Sequence, residues 1–178
     1  MRAWQGLSAA GPAEMGLVLL RGDEHPAEII ILAYGLEQGL GEFYTAMKAV
    51  AENSATAAIF DLLAGIEAQH KEKLYQLYLA LNPAPLDRPA FAAKVTSQYM
   101  EGGFTTEEFV AQNRPALQTD RQVLDMAMML EAQALDLYTR YAAKSAHEET
   151  KTLLLDIANE EKAHLKRLGA LLEDELKK

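Results

Sequence analysis

The sequence predicts an all-α domain, a four-helix bundle with a long crossover between its second and third helices. Three observations predict it. Apolar residues recur at intervals of three and four over four long stretches. The breaks between these stretches run short, long, short. The two halves also repeat each other at a constant offset of 94 positions, with no gap.

The elements follow in order. Residues 1–25 carry Gly6, Gly11, Pro12, Gly16 and Gly22, which break any helical pattern, so an irregular segment is expected there. A first helix is expected over 26–52. Pro26 is tolerated in its first turn, and Ile29, Ala33, Leu36, Leu40, Phe43 and Met47 share one face. Asn53 and Ser54 interrupt it, and Ser54 suits the cap of a second helix reaching Leu81. In that helix Ile59, Leu63, Ile66, Leu74 and Leu77 form the apolar face. Asn82-Pro83-Ala84-Pro85 stops it. The connection 83–119 holds Pro83, Pro85, Pro89, Gly102, Gly103 and Pro115, with short helices expected around 90–98 and 106–113. Long helices are expected again over 120–145 and 148–176. A connection of that length can cross the full height of a bundle. Met126, Met128 and Met129 fall at helical positions and are expected to fill the core.

Composition narrows the chemistry. The chain has 178 residues, enough for one domain with a sizeable core. It contains no cysteine, which excludes disulfides, iron–sulfur clusters, thiolate-bound zinc and cysteine nucleophiles. Any metal must be held by oxygen and nitrogen. The net charge of −9 argues against nucleic acid and against an anionic membrane as partners. No stretch of about 18 apolar residues is present to cross a membrane. The first residues make a poor signal peptide, so a cytoplasmic location is the expectation.

The repeat carries the chemistry. Glu37 matches Glu131, Tyr44 matches Tyr138, Glu67 matches Glu161 and His70 matches His164. Thr56/Thr150, Ala64/Ala158 and Leu74/Leu168 match in the same frame. A site on the implied pseudo-two-fold axis receives each residue twice. Glu67-Ala68-Gln69-His70 and Glu161-Lys162-Ala163-His164 are both Glu-x-x-His. Positions i and i+3 lie side by side on a helix, so the carboxylate and the imidazole can bind one ion. Glu37 and Glu131 each lie in an apolar stripe, 30 positions before the Glu-x-x-His of their own half. A buried carboxylate needs a proton, a partner or a cation. One Glu from each of two helices, plus Glu-x-x-His from each of the other two, is the ligand set of di-iron and di-manganese bundles. The candidate metal ligands are therefore Glu37, Glu67, His70, Glu131, Glu161 and His164. Four carboxylates supply four negative charges, which two divalent cations cancel.

Tyr44 and Tyr138 stand two turns after Glu37 and Glu131 on the same helix face. They are the candidate catalytic residues, as donors to a ligand carboxylate. Ordinary core tyrosines are the alternative. Glu160 is read as a surface residue, with a hydrogen bond from a histidine ring as the alternative. His25 and His147 fall near helix ends and are expected to be solvated.

These motifs together resemble the ferritin-like superfamily, closest to its rubrerythrin and bacterioferritin branch, over about residues 26–176. The resemblance implies a ferritin-like di-metal domain over 26–178. It implies two iron ions, with manganese or zinc also compatible, Glu67 and Glu161 between them, Glu37 and Glu131 as terminal ligands, and one histidine on each ion. Two departures stand out. Rubrerythrins usually carry a four-cysteine rubredoxin module as electron donor, and this chain has no cysteine. They usually carry a seventh carboxylate three residues after the third-helix Glu, where this chain has Ala134. Separately, Ala3-Trp4-Gln5-Gly6 with Gly11-Pro12 is similar to the last turn of rhodanese-like sulfurtransferase domains. That likeness implies a chain cut from a larger protein.

Three functions stay open at this point. The first is reduction of hydrogen peroxide or dioxygen at a di-iron centre, with an external electron-donor protein. The second is a ferroxidase or iron-handling role without turnover. The third is an interaction bundle that holds metal for stability. Ile30, Ile31 and Leu32 add an apolar turn that cannot all face one core. Cover from the connection 83–119 or from a second copy in a homodimer is expected.

Overall fold

The computed structural model describes residues 22–51, 54–95, 105–114, 117 and 119–177. Its helices are α1 (Pro26–Val50), α2 (Ser54–Leu81), α3 (Arg88–Ala92), α4 (Thr106–Asn113), α5 (Asp120–Lys144) and α6 (Glu148–Glu175). The four long helices lie where the periodicity predicts them. The segment resembling the end of a sulfurtransferase domain lies outside the described residues.

Local chemistry sets the helix starts. Pro26 opens α1, and the Glu28 carboxylate accepts the backbone N–H of His25. At α4, Thr105 accepts from Glu108 N–H while Glu108 accepts from Thr105 N–H. Thr119 and Gln122 form the same reciprocal pair at α5. Each pair satisfies donors that a helix N-terminus leaves open. Asp87 caps α3 through Ala90 N–H at 2.9 Å. Ser54, expected as the cap of α2, is instead its first helical residue.

α1 packs along α2, and α5 along α6, so the fold is two helical hairpins. α2 also approaches α5, and α1 approaches α6. The repeated threonines tie the ends together. Thr56 donates to Asp120, the first residue of α5. Thr150 donates to the Glu24 carbonyl just before α1 at 3.1 Å. Both threonines are buried, so each hydroxyl is satisfied by the opposite hairpin.

The connection behaves as a strap over α1. Phe91 of α3 is fully buried among Tyr34, Tyr75 and Tyr78, with ring centroids 4.7 to 5.1 Å away. Phe109 of α4 packs edge-on against Phe43 at 5.0 Å, and Thr106 donates to the Gly39 carbonyl at 2.9 Å. Leu86, Phe91 and Val95 share a cluster with Ile30, Ile31 and Leu32, so the connection covers part of the apolar turn. Met126 is buried and Met128 packs partly buried against the core, as expected, whereas Met129 is only partly buried and belongs to neither apolar cluster. Two apolar clusters, one toward each end of the bundle, leave a polar layer between them.

Candidate metal centre

That layer is built from four helices. On α1, Glu37 follows the fully buried Leu36 and precedes the buried Leu40 by three residues, so the helix period that fills the core also turns Glu37 inward. On α2, Glu67 and His70 face it. His70 Nδ1 lies 3.1 Å from Glu37 Oε2 and 3.1 Å from Glu67 Oε2. The second hairpin repeats the arrangement. His164 Nδ1 lies 3.3 Å from Glu131 Oε2 and 3.1 Å from Glu161 Oε2. All six residues are buried, none more than 8 % exposed. Each group of Glu, Glu and His can hold a metal ion, with ligand atoms within 4.8 Å of one another.

The two triads form one centre. The imidazoles of His70 and His164 stack with centroids 4.0 Å apart and planes 16° from parallel. The charge of Glu37 acts on Glu161, and that of His70 acts on Glu131. The structure thus brings together all six residues that the spacing singled out.

Four buried carboxylates around two imidazoles are electrostatically costly without a cation. Burial, and then the charge of Glu67, raise Glu37 well above the ordinary carboxylate range. Burial pushes Glu161 up to about 10, with Glu37 and Glu131 adding to the rise. For His164, burial favours the neutral ring, but hydrogen bonds to Glu131 and Glu161 outweigh it and raise the ring to about 9. Glu131 goes the other way. Burial raises it, but hydrogen bonds with His164 and Glu161 outweigh burial and pull it below the ordinary value. Without metal, protons favour the same centre that a cation would fill. A proton on His164 Nδ1 would lie between oxygens of Glu131 and Glu161, where a metal ion could also sit. The donor set is oxygen and imidazole nitrogen alone, which suits iron and manganese.

The surroundings refine the expectations. Tyr44 and Tyr138 are buried, at 0 % and 1 % exposed. Tyr44 packs against Phe43 and Phe60. Tyr138 belongs to the other apolar cluster. Ala134 is buried among apolar side chains, so no carboxylate occupies that position. Glu160 is a surface residue: its carboxylate accepts from Lys73 Nζ at 2.6 Å, and both side chains are at least half exposed. His25 and His147 are exposed and stack on each other at 5.0 Å, away from the six ligands.

One contributor escaped the sequence reading. A Cβ on Gly41 would lie 3.3 Å from Glu67 Cβ, so a glycine here lets α1 approach α2 beside a ligand residue. The repeat itself held the signal, because the matching position is Leu135.

A helical bundle with two Glu–Glu–His triads at its centre has the architecture of the di-metal carboxylate proteins. Comparison with known families agrees. The chain belongs to the rubrerythrin family, whose pattern matches residues 28–172. No curated protein and no solved structure gives a significant match. Among the described residues, no helix is long and apolar enough to cross a membrane.

Proposed function

We propose that this protein is a non-haem di-iron oxidoreductase that reduces hydrogen peroxide or dioxygen with electrons from a separate donor protein. The observation that carries the reading is the pair of buried triads, joined through stacked histidines and built only from carboxylate and imidazole. Glu37, Glu67 and His70 would hold one ion, and Glu131, Glu161 and His164 the other. Bound ferrous iron supplies one electron per ion. Hydrogen peroxide takes two electrons and two protons, its O–O bond breaks, and two waters leave. The residues of the chain keep the site small, fix both imidazole rings between carboxylates, and close it toward both ends of the bundle with apolar clusters. Tyr44 and Tyr138 act as hydroxyl donors toward the ligand carboxylates. With no cysteine in the chain, electrons return from outside.

The same absence favours a second reading, a ferroxidase or iron-handling protein that oxidises its load once. One experiment separates the two. The chain is loaded anaerobically with ferrous iron, then peroxide and dioxygen are added in parallel. Absorption and Mössbauer spectra follow the iron. Rapid oxidation by one peroxide per two irons, reversed by a chemical reductant over repeated cycles, is the expected result. Oxidation followed by release or mineral growth supports the second reading. An iron spectrum indifferent to both oxidants refutes both and leaves a structural metal. We further propose a cytoplasmic homodimer that buries the rest of the Ile31–Leu32 surface. Sedimentation at micromolar concentration tests the association.

A further inference from the structure

We propose that a cleft walled by α2 and α6 is the passage by which divalent cations reach the centre, and that Lys73, Asp156 and Glu160 at its mouth control the rate. This rests on the di-metal reading above.

A cavity of about 120 Å³ lies in this cleft. Its floor is made by Glu37, His70 and Glu161, three of the six candidate ligands. Four aliphatic side chains form its walls. Lys73, Asp156 and Glu160 also line it, and all three are exposed, so they mark the outer end. The Lys73–Glu160 ion pair spans from α2 to α6 at 2.6 Å. An exposed pair of this kind is only weakly stabilising, so it opens readily. Two carboxylates against one ammonium leave the mouth net negative, which concentrates small cations. A divalent ion arriving there displaces the lysine from Glu160 and passes inward to oxygen and nitrogen ligands. Small neutral oxidants gain nothing from this charge, whereas a hydrated metal cation does.

The internal repeat serves as a control within the same molecule. At the matching positions of the other half stand Arg167 for Lys73, Leu62 for Asp156 and Ile66 for Glu160. The cation is kept and both carboxylates become aliphatic. A cavity along that side, lined by Ile59, Leu62 and Leu171 and also by Asp120 and Asp174, touches none of the six candidate ligand residues. What the repeat does not duplicate is a pair of carboxylates at the positions of Asp156 and Glu160, above a floor of candidate ligands.

Stopped-flow uptake of cobalt(II) by the metal-free full chain tests the passage. Visible absorption reports the rate, and bound cobalt per chain is counted at the end point. Asp156→Asn combined with Glu160→Gln is expected to slow uptake by about tenfold at low salt, the lower range of electrostatic steering. The difference should shrink as salt rises, and the end point should stay at two ions. Lys73→Met is expected to accelerate uptake. Leu77→Trp, within the cleft, should slow it, whereas Leu171→Trp at the matching position should not. Wild-type rates in the double variant, with two ions bound, overturn the passage and leave the centre standing. A wild-type chain that takes up fewer than two ions overturns the di-metal reading itself.

Discussion

Loading the centre with metal must expel protons, and the structure indicates how many. Burial pushes Glu161 up to about 10, and hydrogen bonds to Glu131 and Glu161 push His164 up to about 9, so both favour their protonated forms at pH 7 when no metal is bound. Glu37, also raised, adds a further share. A metal ligand has to be deprotonated, so filling both triads releases about two or more protons per chain. Each released proton makes the overall binding constant rise about tenfold per pH unit, so two give about a hundredfold. Calorimetry in two buffers of different ionisation enthalpy counts the protons directly. Zinc or cobalt at pH 7 is expected to release at least two per chain. Release of fewer than one would refute the protonated centre and the account of the carboxylates that rests on it.

Three further outcomes follow from the same geometry. Stability of the metal-free chain should fall as pH rises from about 5 to 10. The contribution of Glu161 is fully present below its ordinary 4.5 and lost through about 10, and that of His164 is present below 6.5 and lost through about 9. Thermal melts across pH check this, and a metal-loaded chain should show a much flatter profile. Gly41→Ala should weaken metal binding, because its Cβ meets Glu67 Cβ at 3.3 Å and displaces a candidate ligand residue. Metal titration checks this, and an unchanged affinity would contradict it. Phe91→Ala should cost about 3–5 kcal/mol in denaturant unfolding, because the ring is fully buried among three tyrosines. A change below about 1 kcal/mol would mean the strap contributes little.

Much of this molecule is legible in its sequence, for a physical reason. A core-facing helix writes its period into the chain, so Ile29 to Met47 mark α1 without help from the fold. Glu-x-x-His is equally local, and its repetition with Glu37 and Glu131 singles out the six candidate ligands, which the fold brings together. What stayed hidden depends on pairs distant in sequence. Lys73 and Glu160 meet only once α2 and α6 are packed. Phe91 is one aromatic in a short, proline-bearing helix, and nothing local says it fills an aromatic slot against α1 and α2. Gly41 reads as a weakness in a helix until Glu67 is seen beneath it.

Each hairpin also carries a whole triad: Glu37, Glu67 and His70 in one, and Glu131, Glu161 and His164 in the other. A gapless repeat of this kind is the pattern that copying and fusing one hairpin would leave. Two such hairpins, pairing as separate chains, would already place both triads face to face. Fusion removed the obligation to stay identical. Positions that still agree include all six candidate ligands, together with core and capping residues such as Leu74/Leu168 and Thr56/Thr150. Those that have parted, Gly41 from Leu135 and Asp156 from Leu62, lie beside a ligand and at the cleft. The descendants of one hairpin have thereby become two different halves, a division of labour that identical partners cannot adopt.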